Sequence, residues 1–295
     1  MNQKTRIFEK LSLIFICLLL LICFAKTFLR KTAFDGQRAF SLLVRLQGSG
    51  ARVPSTESHS QAVGFITHQL IKNGWIVQQL PGIVEGHPCI NILATRGNGQ
   101  PKILLASHYD SRMHADRDPD PDRRYLPVPG ANDGGSSTVV LLELSRVLTD
   151  AQSSNIGLLF FDIEDQGDIP GWDWILGSRE FSRQESYHPE LLILLDMVGG
   201  YNQTIQPPSN SDQFIYQQIQ STADQFEYDD HFLNPSTYSI IDDHVPFLEA
   251  GVPSVDLIDI IDPNWHTIFD DIENVSVTSL QRVGDTLYAY LIVIS

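Results

Sequence analysis

The spacing of hydrophobic positions changes repeatedly along this chain. Over residues 34–47, FDGQRAFSLLVRLQ, apolar side chains recur every three or four positions, the period of a helix with one buried face, and Gly48 and Gly50 end it. Ser58 to Asn73 reads the same way and stops at Gly74. The period then shortens: WIVQQL and CINILAT read as strands, divided by the turn-prone PGIVEGHP. KILLAS (102–107), NIGLLFFDI (155–163) and LLILLD (191–196) are almost wholly apolar, the mark of strands covered on both faces, and SVDLID adds another strand. Helical patterns lie between and after them: 134–148, Gly177 to Phe181, Asp212 to Phe226, a short helix and turn in DHVPFLEAGVP (243–253), and a last helix from about Val277 to Val293. Strands alternating with helices predict an α/β fold, a three-layer α/β/α sandwich around a central mixed, mostly parallel sheet. Neither an internal repeat nor a second globular domain is visible, so residues 33–295 are expected to form one globular body.

Composition narrows the function classes. The 295 residues are 42% hydrophobic, enough for one sizeable core. Lys and Arg number 20 against 36 Asp and Glu, a formal net charge of -16, which repels phosphate backbones and argues against nucleic acid as a partner. Of the three cysteines, Cys17 and Cys23 lie in the apolar N-terminal run, leaving Cys89 alone in the body. That excludes an intrachain disulfide and a thiolate zinc cluster there.

The N-terminus has the layout of an export signal. Lys4, Arg6 and Lys10 precede an uncharged run from Leu11 to Ala25, and Lys26, Arg30 and Lys31 follow it. Fifteen apolar residues are short of the roughly 20 needed to span a bilayer, but Phe28 and Leu29 extend the run if Lys26 snorkels. Residues 1–32 are therefore expected to act as a signal anchor or a signal peptide, with the anchor preferred. The globular body would then lie outside the cytoplasm, membrane-anchored by a single N-terminal pass or exported.

Acidic and histidine signatures gather at the expected strand ends, where open α/β sheets place their sites. His108 and Asp110 follow KILLAS and project from one face of extended chain. Asp133 sits in the glycine loop VPGANDGGSS just before a helix; an N-cap role and a ligand role are compatible there. Glu164 and Asp165 are adjacent carboxylates after a long buried run. They converge only if the strand breaks, and a cation would relieve their repulsion, one carboxylate binding it and the other serving as general base. Asp196 ends LLILLD, where burial demands a partner, a cation or a proton. His266, beside Trp265, would supply the nitrogen ligand of a zinc site; Asp133, Asp165 and His266 together leave a fourth position open, the catalytic form. Asp116, Asp118, Asp120 and Asp122 alternate in a long polar loop, roughly 111–130, but prolines interrupt them and no calcium-loop glycine follows, so a solvated loop is expected.

These segments resemble the zinc-dependent exopeptidase family that contains both the co-catalytic zinc aminopeptidases and the animal-type glutaminyl cyclases, over about residues 35–295. In the aminopeptidase pattern, the resemblance implies two zinc ions bridged by Asp133, with His108 and Asp196 on one and Asp165 and His266 on the other. In the cyclase pattern it implies one zinc ion on Asp133, Asp165 and His266. Glu164 matches the catalytic glutamate in both. SHYDSR, IDDHVPFLEAGVPSVDLI and WHT look like cyclase segments. There the family joins carboxylates matching Asp196 and Asp242 to the catalytic glutamate, and a Trp matching Trp265 lines the pocket, with Trp172 or Trp174 expected to serve likewise. Asp165 stands where animal cyclases carry Glu, and Ser107 where they carry Cys. The implied function is a glutaminyl-peptide cyclotransferase acting on peptide or protein N-termini. The alternatives are a di-zinc aminopeptidase and a silent peptide-binding ectodomain; the intact Glu164 and ligand set argue against the last.

Overall fold

Six strands form one sheet in the order β1-β2-β4-β3-β5-β6. They are β1 (Ile76–Val84), β2 (His87–Thr95), β3 (Ile103–His108), β4 (Ile156–Phe161), β5 (Leu191–Asp196) and β6 (Ser254–Ile258). The computed structural model describes residues 32–97, 99–183 and 187–294, and the predicted signal or anchor with its cysteines lies outside them. Phe34–Ser295 forms a compact unit. β2 runs antiparallel to β1 and β4, whereas β4, β3, β5 and β6 are mutually parallel, so the sheet is mixed as expected.

Alternation explains why this sheet is covered twice. In β3, Ile103 and Leu105 join one core layer while Leu104 and Ala106 join the other. In β5, Ile193 and Leu195 face the first layer and Leu192 and Leu194 the second. Every residue of β3, β4, β5 and β6 is buried, which is why their sequences read as continuous apolar runs. The first layer holds α1 (Gly36–Gln47), α2 (Glu57–Lys72), α3 (Ser137–Val147), α6 (Gln213–Asp224) and α8 (Val277–Ile294), with the short α4 (Asp150–Ser153) leading into β4. The second holds α5 (Leu176–Ser182) and α7 (Val245–Glu249), through Phe181 and Phe247. Helix starts follow the sequence: the Asp35 side chain accepts from Arg38 N–H and that of Thr56 from His59 N–H.

Two local expectations change. PGIVEGHP is not a loop: β1 and β2 run through it, and the turn is only Glu85-Gly86, with φ of 52° and 92°. Pro81 is tolerated because β1 is the exposed sheet edge. The aspartate loop is also less solvated than expected, since Asp118 is fully buried and accepts a hydrogen bond from Ile268 N–H at 3.2 Å.

Candidate metal centre and active site

The carboxyl ends of the parallel strands deliver the site. His108 and Asp196 are the last residues of β3 and β5. β4 ends at Phe161, and Ile163 turns the chain with a left-handed φ of 49°. Asp110 then gathers the next residues: its carboxylate accepts from Glu164 N–H at 3.1 Å, Asp165 N–H at 3.3 Å and Gln166 Nε2 at 2.9 Å. The two acidic side chains thereby reach one cavity, which a continuing strand would forbid.

Asp133 comes from a tight turn, Ala131–Ser136, that feeds α3. The buried Asp270 carboxylate accepts from Asn132 N–H at 2.8 Å and Asp133 N–H at 3.1 Å. Fully buried Arg52 donates to the carbonyls of Tyr109, Pro129 and Gly130, tying the β3 end to this turn. His266 adopts a φ of 58° in the segment after β6. Its carbonyl accepts from Arg117 N–H at 3.2 Å, and the Trp174 ring stacks on its imidazole with centroids 6.0 Å apart. The aspartate loop is thus a brace for the histidine segment, and Asp116 Oδ1 lies 3.6 Å from His266 Nδ1.

Two donor sets meet here. Ligand atoms of Asp133, Asp165 and His266 lie within 4.8 Å of one another, as do those of His108, Asp133 and Asp196. His266 Nε2 is 3.0 Å from Asp165 Oδ1 and 3.7 Å from Asp133 Oδ2, yet neither ring nitrogen forms an aligned hydrogen bond. Asp165 Oδ2 is likewise buried without a partner. Two carboxylates and an imidazole with inward-facing, unsatisfied donors fit a zinc-type cation. His108 Nε2 lies 2.9 Å from Asp133 Oδ1 and 3.1 Å from Asp196 Oδ1, so Asp133 belongs to both sets.

Glu164 stands outside both sets, with its nearest ionic contact 3.9 Å away at His108 Nδ1. Burial pushes its carboxyl well above the usual glutamate range; His108 opposes this, while Asp165, Asp243 and Asp196 add to it. Asp165 is pushed up to about 6 by burial and by the Asp133 charge. Burial also holds Asp242 well above the carboxylate range, reinforced by Asp256 and Asp196.

These groups line a cavity of about 170 Å³ whose remaining wall is apolar: Trp174, Met197, Ile240, Ile241, Ile258, Ile260 and Trp265. The structure brings together Asp133, Glu164, Asp165, Asp196, Asp242, Trp265 and His266 around it. Trp172 is elsewhere, stacked on His87 with centroids 3.5 Å apart, so Trp174 takes the pocket position. Gly167 decides this, because the Trp174 ring occupies the space a Cβ there would need. Arg52 and Asp270 had no sequence signal, since both bind backbone groups far away in the chain.

The sequence pattern of peptidase family M28 matches residues 91–291. The aminopeptidase YwaD of Bacillus subtilis is 33% identical over 206 residues, 63% of this chain, which spans 40% of that protein's length. A Zn-dependent exopeptidase from Parabacteroides distasonis shares the fold with a TM-score of 0.82 and 30% identity, covering 88% of this chain and 98% of its own. A Tannerella forsythia glutaminyl cyclase superposes with a TM-score of 0.81 and 29% identity, covering 88% of this chain and 99% of its own.

Proposed function

This chain belongs to peptidase family M28, and we propose that within it the chain acts as a zinc-dependent glutaminyl-peptide cyclotransferase, converting an N-terminal glutamine of peptides to pyroglutamate with release of ammonia. The observation that carries this reading is the small, aromatic-walled cavity in which Glu164, held off both donor sets, faces Asp133, Asp165 and His266. A zinc ion on those three residues would supply Lewis acidity toward the γ-amide carbonyl and charge for the developing oxyanion. Glu164, more basic than a free glutamate, takes a proton from the attacking α-amine and returns it to the departing ammonia. The amine nitrogen bonds to the amide carbon as the carbon–nitrogen bond of the γ-amide breaks. Trp174, Trp265 and the four isoleucines shape the cavity to hold the glutaminyl side chain folded on its own amine and to exclude competing water. Asp196 and Asp242 border the same cavity and orient the amine through the carboxylate cluster.

A second reading has its own observation. The set His108, Asp133 and Asp196 is also assembled, the arrangement a di-zinc aminopeptidase would use. Incubation with a Gln-initiated and a Leu-initiated peptide, followed by mass spectrometry, separates the two. Loss of one ammonia from the first, with the second intact, is expected; release of free leucine would replace the first reading with the second.

A further inference from the structure

We propose that Asp242, His244 and Asp256 form a further cation site, behind the cavity wall, for a divalent transition-metal ion of the zinc or manganese class. Their ligand atoms lie within 4.8 Å of one another, and the donor set of two carboxylates and one imidazole repeats that of both sets in front. Asp256 sits in the middle of β6, on the face opposite Val255 and Leu257, and is fully buried. A strand interior covered on both faces is an unfavourable place for a carboxylate without a counter-charge. His244, also fully buried, has no hydrogen-bond partner on either ring nitrogen, and its Nδ1 lies 3.7 Å from Asp256 Oδ2. Among the described residues no cationic side chain pairs with Asp256 other than this histidine.

The competing occupant is a proton. Asp242 is the neighbour able to share one with Asp256, whose oxygens otherwise meet no hydrogen-bond partner. A proton shared between two carboxyls leaves both nitrogens of His244 unsatisfied, whereas a cation would take an oxygen from each carboxylate and one of the two ring nitrogens. Asp242 also borders the active cavity, while its Oδ1 accepts from Asp243 N–H at 2.6 Å and its Oδ2 has no partner. A cation on Oδ2 would lock Asp242 as a carboxylate in the cavity wall.

The site stands or falls independently of the cyclase reading. The full chain, purified and equilibrated with zinc alone, is crystallised and its anomalous map taken above and below the zinc edge. A peak bonded to Asp242, His244 and Asp256 is expected, together with one metal equivalent fewer per chain in His244→Asn and Asp256→Asn than in the wild type. In His266→Ala, which removes a ligand of the front site, the rear peak should persist. A wild-type map without density there and with an Asp242–Asp256 carboxyl pair at hydrogen-bond distance would overturn the proposal, even if the variants fail to fold. Unchanged metal content in folded variants would overturn it equally.

Discussion

At the scale of single residues, the chemistry concentrates in Glu164. It is buried beside the donor sets without belonging to either, which under the proposed reaction makes it the proton carrier and not a ligand. Glu164→Gln keeps the shape and removes the basic oxygen. Turnover should fall by about 10²-fold or more, with metal content per chain unchanged; steady-state kinetics beside elemental analysis reads both. Equal turnover would assign the proton to another group. Arg52 acts at the same scale by a different route, since its guanidinium holds carbonyls from both sides of the centre. Arg52→Met should weaken zinc binding by about 10- to 100-fold in chelator competition, and Arg52→Lys should recover little, because an ammonium cannot span the same carbonyls. The two residues differ in legibility. Glu164 was readable because it ends a conspicuous buried run. Arg52 lies in ARVPSTES, which carries no periodic signal, and its partners are carbonyls that look alike in any sequence.

At the scale of elements, the parallel strands were legible because burial on both faces writes an uninterrupted apolar run. Their ends were legible as the places where charge resumes. The turns were not, because their geometry depends on contacts across the sheet: Ile163, Met197 and His266 all take left-handed φ next to site residues or as one. The choice of Trp174 over Trp172 likewise rests on Gly167, in the same irregular segment. Gly134 shows how tightly such turns are fitted. A Cβ there would stand 2.4 Å from the His108 carbonyl oxygen and 2.7 Å from its ring. Gly134→Ala should therefore cost about 1–3 kcal/mol of stability by overpacking and displace His108 from Asp133 and Asp196. Thermal unfolding with and without zinc checks this: the variant should melt lower and gain less from added metal than the wild type.

At the scale of the whole molecule, the dominant fact is negative charge gathered in one buried place. Asp133, Glu164, Asp165, Asp196, Asp242, Asp243 and Asp256 are all buried, and the net charge of the chain is -16. Burial holds several of these groups above the usual carboxylate range, led by Glu164, Asp242 and Asp256. Folding brings like charges together, and a bound dication offsets the cost. Ligand linkage converts this into a number: metal at about 1,000 times its dissociation constant stabilises by about 4 kcal/mol. For a body of this size that corresponds to a rise in Tm of roughly 10 °C. Chelation followed by dialysis should lower the Tm by about that amount, and zinc should restore it. A Tm insensitive to chelation would mean that the buried carboxylates are neutralised by protons, and the metal-centred reading of the cluster would fall with it.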